Sequence, residues 1–410
     1  MTAVVYGFRN DLRITDNPAF AQARHRANQT ATKLHAVYVH DPKNDAQTTW
    51  GFERIGAHRK AYLAQRLQDL SLQLKTIGCE LTELHGSPKD ALSAFCESTQ
   101  TKQIYCEDIA APEEQAEIDS LQAAGLQVKT LWQSSLLEPA DLPFDVQNLP
   151  TVFTAFRNKI EKQGLKPREP RKPRKPRKPL LLGEDLPESA AEKHLKHYFA
   201  GDFALTYKLT RNQPMNWSPD EHFSTKFSPW LACGAISAPM IYAELKRFEA
   251  ERGANDSTYW IWFELLWRDY FRFLHLQHGK KLYIKQGLGS VDLAKVPDNR
   301  QGLKRWCEGR TGEPLVDAGM RELAATGWLS NRMRQVVASY LIHDLGGDWR
   351  AGAAWFESQL IDYDVYSNQG NWLYIAGRGT DPRGGRRFNP HMQAQQHDAD
   401  GVYRRFWNSN

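Results

Sequence analysis

The stretch STYWIWFELLWRDYFRFLHLQ, residues 257–277, predicts a long helix with two different faces. At 100° per residue, one face carries aromatic side chains around a glutamate and an arginine: Trp260, Glu264, Trp267, Arg268 and Phe271. The opposite face carries Leu266, Tyr270 and Phe273. Because charged groups are expensive to bury unpaired, the first face either lines a cavity or holds a structural Glu–Arg ion pair. The pattern leaves both alternatives open.

A second two-faced helix is predicted from Asn331 to Leu345. Its apolar stripe consists of Met333, Val336, Val337 and Tyr340. Its polar face consists of Asn331, Arg334 and Gln335, with Arg332 at the margin. This polar face is either solvated or turned towards a ligand, and arginine and glutamine donors beside indole rings suit a base and its phosphates.

These two helices belong to a C-terminal region whose pattern is helical throughout, which predicts an all-α domain over residues 191–410. Eleven of the 13 tryptophans lie after position 200. Such enrichment indicates either a large aromatic core or surfaces that stack on flat ligands.

The region before it alternates strand-like and helix-like segments, which predicts a doubly wound, Rossmann-like parallel α/β domain over residues 1–135. The predicted strands are Val4 to Gly7, Leu34 to His40, Glu80 to Leu84, Gln103 to Glu107 and Leu126 to Leu131. The predicted helices are Arg54 to Ile77, Pro88 to Glu97 and Pro112 to Ala124. The usual nucleotide signatures GxGxxG and GxxxxGK[ST] are both missing from this region.

A linker is predicted between the two domains, over residues 136–190. Its segment 166–179 has proline at every third position and eight Lys or Arg against one Glu. That segment carries a net charge of +7, so the rest of the chain, whose total is +5, has −2. The period predicts a stiff polyproline II spacer, which either serves only as a spacer or also attracts nucleic-acid phosphates.

Two further polar clusters occur in the helical region. One precedes a helical segment and suits a diphosphate through its hydroxyls and ammonium group: Thr225, Lys226 and Ser228. The other contains two carboxylates and is formed by Asp362, Asp364, Asn368 and Trp372. Carboxylate pairs bind metals or transfer protons, but no neighbouring His or Glu completes a metal set, so we expect no metal.

Composition excludes several classes of protein. With 410 residues, 41% hydrophobic and 25% charged, the chain is globular, and it has no run of 18 apolar residues. Its five cysteines lack CxxC spacing, so neither a disulfide framework nor a zinc site is indicated. We therefore expect a soluble monomer without membrane contact, in the cytoplasm or another reducing compartment.

Taken in order, these clusters resemble the cryptochrome and photolyase family, and within it the cryptochrome DASH branch. The resemblance covers nearly the whole chain. Its motifs are FRNDLRITDN (8–17), YKLTRN (207–212), TKFSPWLACGAIS (225–237), NDSTYWIWFELLWRDYFRF (255–273), MRELAATGWLSNRMRQVVASYL (320–341) and IDYDVYSNQGNWLYIAGRGTDPR (361–383).

This resemblance implies a helical domain that binds FAD noncovalently. By motif, the FAD phosphates would be held by Thr225, Lys226, Phe227 and Ser228, with Tyr207 nearby. The isoalloxazine ring would be surrounded by Arg268, Asp362, Asp364 and Asn368. Arg334 would pair with Asp362.

It also implies repair of cyclobutane pyrimidine dimers in UV-damaged DNA, by an electron from reduced FAD excited with blue light. The dimer would meet Glu264, Trp267, Asn331, Arg332, Gln335 and Tyr374. Tyr374 and Gln335 stand where many duplex-acting photolyases carry Trp and Met, as in the DASH branch, whose members act chiefly on single strands. Tyr and Gln offer the dimer less apolar contact than Trp and Met. Such contact offsets the free-energy cost of flipping a dimer out of a duplex, and a single strand avoids much of that cost.

The residues that form the family's electron relay and contact its antenna pigment are matched less completely in this sequence. Of its three relay tryptophans, Trp372 and Trp349 match the inner two, whereas Val296 stands at the outer position. Trp306 or a tyrosine is an alternative third member. The usual antenna pigment of the branch is 5,10-methenyltetrahydrofolate, for which Glu107 is a candidate contact.

Two other functions are carried as alternatives. A blue-light photoreceptor would signal through a partner with the same flavin. A DNA-binding module without enzymatic activity would explain the tryptophans and the basic linker, but it leaves the cluster of Asp362, Asp364 and Asn368 without a role.

Overall fold

The N-terminal part of the chain folds around a parallel sheet, in a computed structural model that describes residues 3–171, 188–213, 224–289, 299–380 and 384–409. Within these ranges the strands are β1 (Val4–Phe8), β2 (Leu34–His40), β3 (Leu81–His85), β4 (Gln103–Glu107) and β5 (Gln127–Leu131). Their order is β3-β2-β1-β4-β5, and each neighbouring pair is parallel. Val5 of β1 lies between His35 of β2 and Ile104 of β4. The strand order reverses beside β1, as in a doubly wound sheet, so the predicted fold class is confirmed.

The helices that accompany the sheet are α1 (Pro18–Gln29), α2 (Ala57–Thr76), α3 (Pro88–Ser98) and α4 (Pro112–Ala123). The sequence predicted the last three within a few residues but missed α1. Its buried face contains Ala19, Phe20, Ala23 and Ala27, so small side chains gave little hydrophobic contrast. The signals that marked its start were the Asn17 cap and Pro18.

The segment after β5 is more structured than a plain linker. It contains α5 (Phe153–Lys162), which buries Phe153, Phe156 and Ile160 against the helical part and which the sequence did not predict. Further on, Arg168 forms an ion pair with Asp16 of the α/β part. Most of the basic proline-rich segment lies outside the described residues, which resume at residue 188.

The C-terminal part is helical, as predicted. Its helices are α6 (Ala190–Ala200), α7 (Phe203–Thr210), α8 (Ser228–Ala232), α9 (Ala238–Arg252), α10 (Asp256–His278), α11 (Arg300–Cys307), α12 (Pro314–Thr326), α13 (Asn331–His343), α14 (Trp349–Gln359), α15 (Val365–Ile375), α16 (Pro390–His397) and α17 (Val402–Ser409). In the part of the chain that is described, no helix is both long and apolar enough to span a bilayer.

Helix α10 is the centre of this part. It packs against α5, α7, α9 and α15. Leu266, Tyr270 and Phe273, which the 100° periodicity assigned to one face, are each 0% exposed. This buried face fixes the helix, and the opposite face is left to form a site.

A close helix contact lies between α14 and α15. The indole of Trp372, on α15, packs edge-on against Trp306 with 6.2 Å between ring centroids. Gly352 of α14 lies against the same indole, because a β-carbon there would lie 2.1 Å from Trp372 Cη2. The lack of a side chain at position 352 therefore lets the two helices approach.

We expect Gly352→Ala to lower the free energy of unfolding by about 1–3 kcal/mol, because the added methyl group overpacks the contact with Trp372. Gly7→Ala in β1 is the control, since its nearest neighbour, Ile104 Cγ2, would lie 4.0 Å from the new β-carbon. Urea unfolding of both variants measures the difference. Equal losses at the two positions would contradict this account of the contact.

Candidate active site

A cavity of about 580 Å³ opens among the helices, a size typical of ligand sites. All five residues that the sequence placed on one face of α10 line it. The other predicted site residues in its lining are Tyr207, Thr225, Lys226, Phe227, Ser228, Asn331, Arg334, Gln335, Asp362 and Tyr374. Residues more than 160 positions apart in sequence thus meet around one space.

The glutamate of the α10 face pairs with an arginine from another helix segment. Glu264 forms an ion pair with Arg211, whose guanidinium also lies 4.3 Å from the ring centroid of Trp260. Burial raises the pKa of Glu264, and Arg211 opposes that rise. A carboxyl with a raised pKa retains its proton to higher pH and can donate a hydrogen bond.

Arg268, the other charged residue of that face, does not pair with Glu264. Its guanidinium donates to the main-chain oxygens of Ser134 and Leu231. Burial, together with the nearby charge of Arg272, lowers the pKa of Arg268 to about 9. Both alternatives that the sequence left open for this face occur: the face lines the cavity, and Glu264 forms an ion pair, with Arg211 rather than with Arg268.

Asp362, which is buried, and Arg334, which is partly exposed, form an ion pair in the wall, with 2.8 Å between Arg334 Nη2 and Asp362 Oδ2. Arg334 is held in place by a second bond, from its Nε to the oxygen of Leu329 at 2.7 Å. The other carboxylate oxygen, Asp362 Oδ1, is buried without a hydrogen-bond partner among the described residues. It is available to a donor group on a ligand.

Asp364 lies behind this wall and does not line the cavity. It pairs with Arg272 at 2.6 Å and caps α15 by accepting from the backbone N–H of Ser367 at 2.7 Å. Burial alone would raise the pKa of Asp364, but Arg272 and Arg268 outweigh it and hold that pKa well below its usual range. Asp364 is therefore ionised at all physiological pH values.

The turn before α8 forms another side of the cavity. Lys226 has φ of +49°, a left-handed conformation uncommon for a residue with a side chain. Phe227 is buried beside Tyr198 and Phe199, which anchors the turn to the core. Ser224 Oγ is buried with no bonding partner in the described ranges. The turn therefore presents hydroxyls and an ammonium group from a fixed backbone.

Several predicted site residues are not in the lining. Arg332 places its guanidinium 5.4 Å from the ring centroid of Phe388. Asn368 donates from Nδ2 to the oxygen of Ala353 at 3.0 Å, while its neighbours Ser367 and Asn371 do line the cavity. Their roles stay predictions.

The predicted relay and antenna residues lie outside the lining as well. Trp372 is buried against Trp306, and Trp349 donates its indole N–H to the oxygen of Lys285 at 2.9 Å. Glu107, at the end of β4, is 1% exposed. Val296 is outside the described residues.

Sequence reasoning missed other residues of the site. Three charged or aromatic side chains and one amide line the cavity without having been selected: Arg211, Trp328, Arg386 and Asn371. Arg211 was detectable, since it follows Tyr207 by four positions in the quoted motif YKLTRN. Arg386 donates to the hydroxyl of Tyr374 at 2.9 Å, a tertiary contact that no local pattern indicates.

Comparison with known proteins gives consistent matches along the chain. Residues 4–176 match the family model of DNA photolyase, and residues 260–409 match that of the FAD binding domain of DNA photolyase. The chain is 41% identical to the cryptochrome DASH of Synechocystis sp., over 98% of this chain and 87% of that protein. It is 40% identical to the cryptochrome DASH of Xenopus laevis, over 97% and 81%. A crystal structure of a Synechocystis sp. cryptochrome aligns with a TM-score of 0.88 at 40% identity, covering 99% of this chain and 88% of that one.

We expect Arg334→Met to lower the free energy of unfolding by about 3 kcal/mol, because it leaves the Asp362 carboxylate buried and unpaired. Adding Asp362→Asn removes that charge, so the double variant should recover much of the loss. Urea unfolding of the wild type, both single variants and the double variant measures the coupling. A double variant no more stable than Arg334→Met would show that the ion pair is unimportant.

Proposed function

This chain belongs to the DNA photolyase and cryptochrome family, in its cryptochrome DASH branch, and from that premise we propose that it repairs cyclobutane pyrimidine dimers with blue light, preferentially in single-stranded DNA. The observation that carries the proposal is the meeting of Glu264, Trp267, Asn331, Gln335 and Tyr374 at one cavity that Asp362 also lines. An indole, a protonatable carboxyl and two amides suit a flat base with carbonyl and imide groups.

The chain carries the family's FAD-binding domain, and the cavity residues fit that cofactor. Asp362 Oδ1, Ser224 Oγ and Trp328 Nε1 are polar atoms buried without partners in the described structure, as expected where a ligand supplies the missing bonds. When bound, reduced FAD supplies an electron donor that blue light excites and that takes the electron back after the dimer opens.

The protein's own residues would bind different parts of the cofactor according to their position. The turn of Thr225, Lys226, Phe227 and Ser228 would hold the diphosphate, with Tyr207 beside it. Arg268 and Asp362, which line the cavity, would contact the ring system, and Asp364 and Asn368 would support this wall from outside the lining. Trp372 and Trp349 would relay electrons from outside, with Trp306, whose ring contacts Trp372, as the alternative third member.

On the substrate side, Trp267 would stack on the dimer and Glu264 would donate a hydrogen bond to a carbonyl on which negative charge develops. The raised pKa of Glu264 supports this role, because the acid must be protonated to donate. Asn331 and Gln335 would bind the same base edges by their amides, and Arg332 would lie outside the first contact layer.

The preference for single strands follows from the polarity of the pocket wall. The hydroxyl of Tyr374 is bound by Arg386, and Gln335 adds an amide to the same cavity. Polar groups held in this way offer less apolar contact to a flipped base, and extrusion from a duplex costs a few kcal/mol that such contact would have to offset.

We also propose an antenna pigment, 5,10-methenyltetrahydrofolate, near Glu107. The carboxyl of Glu107 is buried, and its Oε2 has no partner in the described part of the chain. Burial raises the pKa of Glu107 to about 8, so it is largely protonated at neutral pH and can donate to a ring nitrogen or carbonyl.

A blue-light photoreceptor remains the second candidate, because the relatives quoted above are named cryptochromes. The two functions share the cofactor and differ in whether a dimer is consumed. A light-dependent partner without loss of dimers would favour the photoreceptor.

The central test uses FAD-loaded, reduced protein and an oligonucleotide with one thymine dimer. We expect blue light to remove the dimer, faster in the single strand than in the duplex, with none lost in the dark; chromatography of the oligonucleotide measures this. Trp267→Leu should slow repair by about tenfold or more through lost stacking. Trp262→Leu, on the same helix but outside the cavity lining, is the matched control. Failure of the wild type to remove dimers would end the proposal.

We expect repair to decline as pH rises through the raised pKa of Glu264, because the ionised carboxylate has no proton to donate. Glu264→Gln retains a donor, so its pH profile should be flat over the same interval. Glu264→Ala, which has no donor, should be about 10- to 100-fold slower than Glu264→Gln at every pH. Initial repair rates from the ordinary pKa range of a glutamic acid up to pH 9 measure all three. A wild-type profile as flat as that of Glu264→Gln would refute the proton-donor role.

A further inference from the structure

Trp267 is stacked on a phenylalanine that comes from outside the helical part. Its indole and the ring of Phe153 are 3.8 Å apart between centroids, with 13° between the ring planes. Phe153 is the first residue of α5, in the segment that follows the sheet. Since Phe153 is 5% exposed, the stack lies inside the protein rather than on its surface.

Three further aromatic rings lie around the Trp267 indole. Tyr270 and Tyr374 approach it edge-on, at 5.9 Å and 5.8 Å between centroids. Phe271 lies at 5.4 Å with the planes inclined by 38°. The indole is therefore stacked on Phe153 and surrounded by three further rings, and it also lines the cavity.

Phe153 itself is held rigidly. Phe263 and Tyr270 contact it edge-on at 5.1 Å and 5.8 Å, and Phe156, one turn further along α5, lies at 6.2 Å. A ring fixed from several directions cannot rotate away from its partner. Rigid aromatic support of this kind reduces the conformational freedom that Trp267 would otherwise lose on binding a ligand.

We propose that Phe153 is a positioning residue for substrate recognition, which holds the Trp267 indole flat so that a damaged pyrimidine completes a three-layer stack. The inference rests on the proposed function, because it assigns the third layer to the dimer. Helix α5, which lies in the segment between the sheet and the helical part, would then contribute to substrate recognition by holding Trp267 in place in the cavity wall.

The first test measures binding of the FAD-loaded protein in the dark to dimer-bearing and undamaged single strands. Phe153→Leu keeps an apolar side chain but removes the stack, and it should lower the preference for the dimer by about five- to tenfold. Phe153→Tyr keeps the ring and should stay within about twofold of the wild type. Phe156→Leu is the matched control, since Phe156 lies on the same helix, is 0% exposed and has no ring contact with Trp267 among the described residues.

A double-variant cycle separates positioning from general loss of packing. If Phe153 acts through Trp267, then Phe153→Leu should add little to Trp267→Leu. Additive losses, or equal losses in Phe153→Leu and Phe156→Leu, would overturn the proposal.

A second measurement does not depend on DNA. Incorporated 5-fluorotryptophan gives a fluorine resonance for Trp267, identified by its loss in Trp267→Phe. We expect Phe153→Leu to shift and broaden this resonance and Phe156→Leu to leave it unchanged. An unmoved resonance in Phe153→Leu would refute the positioning role even if the protein repairs dimers. A wild type without preference for dimers, together with a shifted resonance, would instead refute the proposed function and the assignment of the third layer.

Discussion

The site depends on how the Asp269 carboxylate ties helix α10 to the chain segment that follows the sheet. Asp269 is 0% exposed and accepts from the backbone N–H groups of Leu136 at 2.7 Å and Leu137 at 2.8 Å. A buried carboxylate is tolerated when it is paired and hydrogen-bonded, so this bond fixes both partners. It sets the rotation of α10 about its own axis, and that rotation decides which side chains face the cavity. It also positions the start of the segment that leads to α5.

Three acidic side chains in and behind the cavity wall each have an arginine partner. Asp362 is paired with Arg334, Asp364 with Arg272, and Glu264 with Arg211. Among the described residues, Arg268 donates to main-chain oxygens rather than to a carboxylate. Breaking such a pair costs several kcal/mol, whereas a polar ligand can enter by satisfying the atoms left over, such as Asp362 Oδ1. The pairs therefore keep a polar cavity open inside an otherwise apolar core.

The sequence predicted those features that depend on local periodicity. At a step of 100° per residue, positions i, i+4, i+7, i+8 and i+11 share a face of α10, so the common face of the residues from Trp260 to Phe271 that line the cavity could be predicted without coordinates. The ion-pair partner of Glu264 could not be predicted in this way, because both Arg268, four residues along the same helix, and Arg211, from another segment, were available, and the structure pairs Glu264 with Arg211. Helices α1 and α5 were missed since small side chains or a short length gave weak patterns. The motif resemblance correctly placed Asp362 in the cavity lining. Asn368, which the same resemblance selected, donates to the oxygen of Ala353 on α14 and is not in the lining.

The α/β part of the chain contacts the segment that contains Asp362 and Asp364. Arg59 of α2 lies 4.4 Å from the ring centroid of Tyr363, the residue between Asp362 and Asp364, and donates to the oxygen of Glu357 at 2.9 Å. The backbone N–H of Ala110 donates to the hydroxyl of Tyr366 at 2.7 Å. These contacts hold the aspartate segment from the side of the sheet, at its middle residue and two residues beyond Asp364. Since Asp362 of this segment lines the cavity, separating the two parts would loosen that wall, and the α/β part is thereby a structural component of the site.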